Sequence, residues 1–403
     1  MALVVRIAWV FAVAGHYRLG NDASWYRFSA LDLAMGRGYV SGLVLIRPQP
    51  ATAQFPPGFE TYLAAAAWIF GHSRLVAQLA QCAAGTATVA VTGLVARRVA
   101  GDGVALLAAA LAAVWPNLVV ADGTLMSETL FTLLVLLVVL AAYRVLERPS
   151  VVRWCVLGAL AGLAMLTRGE ATLLLPFLVV PVAFRARGSW THNLALAAVA
   201  TLVALAVLVP WTVRNERTFH RFFWISTNTG NLIRDANCAP SYHGRFLGQW
   251  VFYCGVVPPG DNEAANADAA RRAGIDYARN HPKRVPIVVA ARLGRTFGVF
   301  RPLQEVRLGT AEGRPYGLAL TGLLAYYLLV VAAIGGAVVL VRARATVLPL
   351  ASVLALVVVT TALTYGNLRF RSALEPVLLV LGATGIAAAW RALVGRHAVR
   401  PAG

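Results

Sequence analysis

Charge is what this chain has least of. Of its 403 residues only 13% are charged and 59% are hydrophobic, against roughly a quarter and a half in soluble domains. That balance excludes an ordinary soluble globule and points to a membrane protein. Lysine is nearly missing, with Lys283 standing against a long list of arginines. With alanine, glycine and valine abundant, this reads as the bias of a GC-rich genome, so arginine enrichment says little about phosphate. Cysteine is scarce too. Cys82 and Cys155 fall in apolar runs, Cys238 and Cys254 share one long polar loop, and no spacing suggests zinc. Neither a nucleotide-binding glycine loop nor an internal repeat is visible.

What is present is a series of long apolar runs, several exceeding the ~18 residues that mark a transmembrane helix. We read spans at Ala2–Ala14, Leu75–Val99, Val104–Val120, Thr129–Leu146, Val151–Leu166, Thr172–Phe184, Leu194–Trp211, Leu318–Val341, Val347–Leu363 and Leu374–Leu393. The net charge of +19 does not indicate nucleic acid, because the basic residues collect at the ends of these runs. Threading ten helices places Arg97/Arg98, Arg144/Arg148/Arg153, Arg185/Arg187, Arg342/Arg344 and the tail Arg391/Arg396/Arg400 on one side, the cytoplasmic one. The opposite turn, Trp115–Ser127, has no basic residue. Both termini then lie inside. Asp22, Glu128 and the loop Asn215–Tyr316 lie outside the plasma membrane. The first run is shorter than the ~20 residues needed to cross and contains Arg6. Its Ala12-Val13-Ala14 is like a signal-peptidase site, but we read the segment as an anchor.

The chain divides into a membrane module over 1–214, an outer loop over 215–316, and a three-helix region with a cytoplasmic tail over 317–403. Within the first outer loop, 15–73, Trp25, Phe28, Leu31 and Met35 recur at helical spacing. Arg27 and Asp32 point elsewhere, so the spacing predicts a helix lying in the interface. "FPPGFETYLAAAAWIFG" adds a second apolar helix, too short to span. The long outer loop predicts an amphipathic helix over Asn262–Asn280, halted near His281-Pro282. An apolar-basic helix over Val285–Phe300 should then rest on the bilayer.

Several pieces occur in order: Asp22 after the first span with Tyr26 one turn later, then "ALDLAMGRGYV", "PPGFETYLAAAAWIFG", "WPNLVVADGTLMSETLF", "LTRGEATLLLP", "VPWTVRNERTFHRFFWISTNTGNL" and "RFRSALEP". From about Arg18 to Trp390 the chain resembles the polytopic C-type glycosyltransferases, specifically the protein-mannosyltransferase and aminoarabinose-transferase-like family of bacterial envelopes. The resemblance implies an all-α membrane fold and a sugar donor on polyprenyl phosphate. The acceptor would be an envelope glycan, lipid or protein hydroxyl. It also implies that the acidic residue of the first outer loop, Asp22 here, is the catalytic base. Relatives often carry a second carboxylate directly after it, where this chain has Ala23. They also continue "STNSGYNLWVGNNP", of which "STNTGNLIRDANCAPS" keeps the first half.

A lipid-linked sugar already carries its leaving group, so the enzyme must deprotonate the acceptor and stabilise the departing phosphate. Asp22 reads as that base, worth ~10²–10⁴-fold, in a single inverting displacement. It also reads as the cap of a helix starting at Ala23. Glu128 is either a helix-start carboxylate favoured by the dipole or a second acid that orients the acceptor or a divalent cation. No other cofactor is called for. Asp122 reads as a turn residue. Arg168, Arg369 and Arg371 lie beside outer helix ends, where guanidinium can fork onto phosphate, and Glu170 reads as the ion-pair partner of Arg168. Tyr26 could stack on a sugar. Cys238 and Cys254 lie in an oxidising compartment and are expected to pair. A lipid-linked-sugar flippase and a non-catalytic envelope scaffold are the rival readings.

Overall fold

The computed structural model describes residues 1–43, 48–252, 254 and 260–398, with the side chains of 395–398 left aside. Arg400 and the side chain of Arg396, both counted in the basic tail, lie outside the described residues. Among the described residues the fold is all-α; the nearest thing to a sheet is an isolated bridge between Val40 and Ala51.

The chain opens with α1 (Ala2–Ala12), which turns through 104° into α2 (Asn21–Ala34). Then come α3 (Pro57–Phe70), α4 (Arg74–Ala100), α5 (Asp102–Val114) and α6 (Pro116–Ala121). The next group is α7 (Glu128–Glu147), α8 (Val151–Thr167), α9 (Val180–Arg185) and α10 (Trp190–Phe219). Outside the bundle lie α11 (Asn228–Ala236), α12 (Ala239–Tyr242), α13 (Glu263–Asn280), α14 (Val285–Thr296) and α15 (Pro302–Gly309). The chain closes with α16 (Tyr316–Arg342), α17 (Leu348–Leu363) and α18 (Glu375–Ala398).

Five helices (α4, α7, α10, α16 and α18) are long and apolar enough to cross a membrane, and the bent pair α1–α2 counts as a sixth if taken as one span. The four other expected spans are short or broken. Val104–Val120 divides at Trp115 between α5 and α6, because Pro116 has no N–H to continue the helix and instead starts the next one. Thr172–Phe184 becomes a 3-10 turn, a π turn over 175–179 and the short α9, with Pro176 and Pro181 removing donors. α10 tolerates Pro210 and runs on to Phe219, past the boundary drawn at residue 214.

The main core lies where α7, α8 and α10 pack together and against α17 and α18, around fully buried Trp154, Leu157 and Met165. Two expectations change at the outer side. α2 buries Ala23, Tyr26 and Ala30 against α3, while Phe28 and Met35 of the apolar stripe stay exposed. Asp32 turns inward, paired with Arg37 at 2.6 Å. α14 does not merely rest on a surface. It ends at Thr296 and packs on α17, with Arg292 and Arg295 buried. Arg292 donates to the carbonyls of Ala236 and Ala362, at the ends of α11 and α17, where helix dipoles favour a cation. Cys238 and Cys254 form a disulfide in the outer loop.

Arg6, the liability of the first run, is 0% exposed. Its Nε donates to Asp122 at 2.5 Å and Nη1 to the Ala113 carbonyl at the end of α5. Asp122 is therefore more than a turn residue. Its carboxylate occupies the space a side chain would need at Gly85 of α4, where an added Cβ would sit 1.9 Å from an Asp122 oxygen.

Candidate active site

Four chain segments that are far apart in sequence meet in one cluster, here termed the rim. Asp22 lies in the first turn of α2. The cap position there is Gly20, so Asp22 does not cap the helix; it is a helical residue near the positive end of the dipole. Glu128 is the first residue of α7, and Arg168 follows the last residue of α8. Arg369 sits in a 3-10 turn, Leu368–Arg371, which the Asn367 side chain caps by accepting from the Arg369 N–H at 2.9 Å.

Arg369 is the hub. Its Nη1 lies 3.3 Å from Asp22 Oδ2 and 3.2 Å from Glu312 Oε1, its Nε 3.6 Å from Glu128 Oε1, and its Nη2 donates to Tyr365 Oη at 3.0 Å. Arg168 braces the other side of Glu128 at 2.8 Å, while also binding Glu170 at 2.6 Å and Ser127 Oγ at 3.2 Å. Burial works against the charge on Arg369, but Tyr365 and then the carboxylates of Glu312, Glu128 and Asp22 raise its pKa well above the usual guanidinium range, so it is a permanent cation. Glu128 is 1% exposed and Arg369 13%, whereas the Asp22 side chain is 40% exposed. Asp22 is thus the carboxylate open to an incoming molecule, and among the described residues its Oδ1 has no hydrogen-bond partner.

Beside Arg369 lies a narrow, partly open pocket. Its lining includes the charged Arg314, Arg369 and Glu312, the polar Asn117 and Asn367, and the apolar Leu118, Val120, Leu318 and Leu323 of α6 and α16. Such a mixed lining suits an amphiphile with an anionic end.

Parts of the chain resemble known proteins. Residues 54–213 match the family described as dolichyl-phosphate-mannose-protein mannosyltransferase. That match covers under half of the chain. Over 164 residues the chain is 30% identical to an undecaprenyl phosphate-alpha-4-amino-4-deoxy-L-arabinose arabinosyl transferase of Pseudomonas paraeruginosa, covering 39% of this chain and 30% of the relative. The match thus spans under a third of the curated relative's length. The apo oligosaccharyltransferase of Archaeoglobus fulgidus superposes with a TM-score of 0.58 at 14% identity, over 99% of this chain and 52% of that one. That likeness concerns the fold. ArnT from Cupriavidus metallidurans bound to undecaprenyl phosphate gives a TM-score of 0.47 at 18% identity, over 98% of this chain and 78% of that one.

In this fold Asp22, Glu128, Arg168 and Arg369 come together. Arg371 lines the same pocket but is 2% exposed, tied to Glu375 at 2.8 Å and stacked 3.5 Å above the Tyr326 ring. Tyr26 is only 5% exposed and its ring is taken by Phe55 and Phe59 at 4.7 and 5.0 Å, which leaves no face for a sugar. Among the described residues no three His, Cys, Asp or Glu side chains are arranged to hold a metal ion, and at the rim each carboxylate is turned to guanidinium. Sequence reasoning missed Glu312 and Arg314, which come from "TAEGRPYG". The available signal was an acid and an arginine placed immediately before an apolar run, on the side where arginine is least expected.

Proposed function

We propose that this chain moves a sugar from a polyprenyl-phosphate donor to a hydroxyl of an envelope acceptor, at the outer face of the plasma membrane. The observation that carries this is the junction of Asp22, open to solvent, with Arg369, which lines the amphipathic pocket. An apolar tail would lie along Leu118, Val120, Leu318 and Leu323, with its phosphate at the guanidinium end. The relatives' named use of undecaprenyl phosphate-linked aminoarabinose supports a donor of that class.

In the reaction so read, Asp22 takes the proton of the acceptor hydroxyl as the oxygen bonds to the anomeric carbon. The bond from that carbon to the phosphate oxygen breaks, and the electron pair leaves with the phosphate. Arg369 neutralises the charge that develops there. One displacement inverts the anomeric centre. Glu128, clamped between Arg168 and Arg369, keeps the guanidinium in register.

The test is mass spectrometry of envelope glycans and lipid-linked sugars in cells carrying the wild-type protein, Asp22→Asn, or none. A polyprenyl-phosphate sugar should accumulate in the last two, and one envelope component should lose the mass of one sugar. If both pools are unchanged, the reading fails.

A further inference from the structure

We propose that Glu312 is an internal competitor of the donor phosphate, which must release Arg369 before the donor can settle. This rests on the reading that Arg369 receives that phosphate.

The rim is over-supplied with negative charge. Three guanidiniums, those of Arg168, Arg314 and Arg369, face four carboxylates, those of Asp22, Glu128, Glu170 and Glu312. A phosphate entering this network adds to the excess, so one carboxylate has to withdraw. Asp22, Glu128 and Glu170 do not line the pocket; Glu312 does, alongside Arg314 and Arg369. Its Oε1 sits 3.2 Å from Arg369 Nη1, so it already holds the guanidinium that the phosphate needs. The residue also has somewhere to go. Its other oxygen, Oε2, already lies 3.8 Å from Arg314 Nε, a buried donor with no hydrogen-bond partner. A small rotation lets the carboxylate exchange Arg369 for Arg314.

The backbone around it holds this carboxylate in place. Glu312 ends a 3-10 turn, followed by Gly313 at φ +79°. The turn presses on the segment before Asp22, where an added Cβ on Gly20 would sit 2.8 Å from the Ala311 carbonyl oxygen. Glu312 is therefore delivered to the rim by a tight fit between two outer segments and does not hang there on a loose tail.

An internal ligand that holds the binding-competent cation lowers apparent affinity by the fraction of time it occupies it. Removing the Glu312 charge should thus tighten binding, the reverse of what losing a site residue usually does. The full chain in nanodiscs, titrated with undecaprenyl phosphate and read by native mass spectrometry, gives the answer. Glu312→Gln is expected to bind roughly tenfold tighter, and Glu312→Asp, which keeps the charge but shortens its reach, tighter by a smaller factor. Arg369→Ala should weaken binding. If Arg369→Ala leaves binding unchanged, the phosphate reading itself fails. If Arg369→Ala weakens binding while both Glu312 variants bind as wild type or worse, only the competitor fails. Glu312→Asp serves as the deciding variant should Glu312→Gln fold poorly.

Discussion

Two guanidinium–carboxylate clusters in this molecule use the same chemistry for opposite ends. Arg6 and Asp122 meet one to one, 0% and 3% exposed, with helix-end carbonyls taking the remaining donors. The rim network around Arg369 is partly open and carries one carboxylate more than it has guanidiniums. A buried pair that is matched and satisfied can only hold; removing either member strands a charge where water cannot reach. An unmatched network at a pocket mouth retains exchangeable partners, and exchange is what a reaction needs. The rim should therefore govern rate, and the interior pair stability.

The sharpest way to break that contrast is Asp22→Asn. Transfer should fall ~10²–10⁴-fold, with the melting temperature unchanged, because Gly20 and not Asp22 holds the cap position. A variant with near wild-type turnover in liposomes would move the base elsewhere, with Glu128 the next carboxylate to examine. Arg6→Ala should do the reverse. Leaving Asp122 buried and unpaired costs about 3–5 kcal/mol, read as a large drop in thermal stability, while the folded fraction keeps its turnover. Arg6→Met with Asp122→Leu should cost less than the two single changes added together, since neither charge is then stranded.

The outer loop sharpens the comparison by offering intermediate cases. Replacing Cys238 and Cys254 by serine opens a short loop and should lower stability by about 3 kcal/mol, measured by thermal unfolding with and without reductant. Purified, unreduced protein should leave both thiols closed to alkylation. Glu60 gives an effect that depends on pH. Burial pushes its carboxyl up to about 8, with Trp25 and Arg214 pulling the other way and Glu263 adding to the rise. An acid raised on folding holds its proton more tightly in the folded state, so its stability is full below the unfolded pKa and is lost as pH rises toward 8. The melting temperature should decline from about pH 5 to pH 8 in the wild type and decline less in Glu60→Gln; equal slopes would remove Glu60 from the account.

Much of the architecture was legible because hydropathy is a local signal. Every expected span falls on a helical segment, and the helix expected over Asn262–Asn280 is α13, which Asn262 caps by accepting from the Ala265 N–H at 3.0 Å. The losses came at prolines, where apolar composition continues but the helix does not, and at α14, where an apolar-basic pattern fits lipid and a protein groove equally well. The rim was legible in part. Asp22, Glu128, Arg168 and Arg369 each sit beside an apolar run, so each could be named, but nothing local says that Arg369 faces Asp22 across 347 positions. Arg6 was a stronger clue than it was given credit for. An arginine inside an apolar run requires an acid, and Asp122 was among the few acids bordering a span. Glu312 and Arg314 were hidden because they join the rim only through a turn that packs on Gly20.

One more consequence follows from α10. Its thirty residues extend ~45 Å against a hydrocarbon core of ~30 Å, and its far end grips the outer segments. Arg214 donates to the carbonyls of Tyr39 and Thr52, and Trp211 to that of Ile225. The helix therefore works as a ruler between bilayer and rim. Acyl-chain length sets its tilt through hydrophobic mismatch, and the tilt sets how far above the lipid the outer segments stand. On the proposed function, membrane thickness would then bear on how easily a lipid-borne donor and its acceptor arrive at the same height.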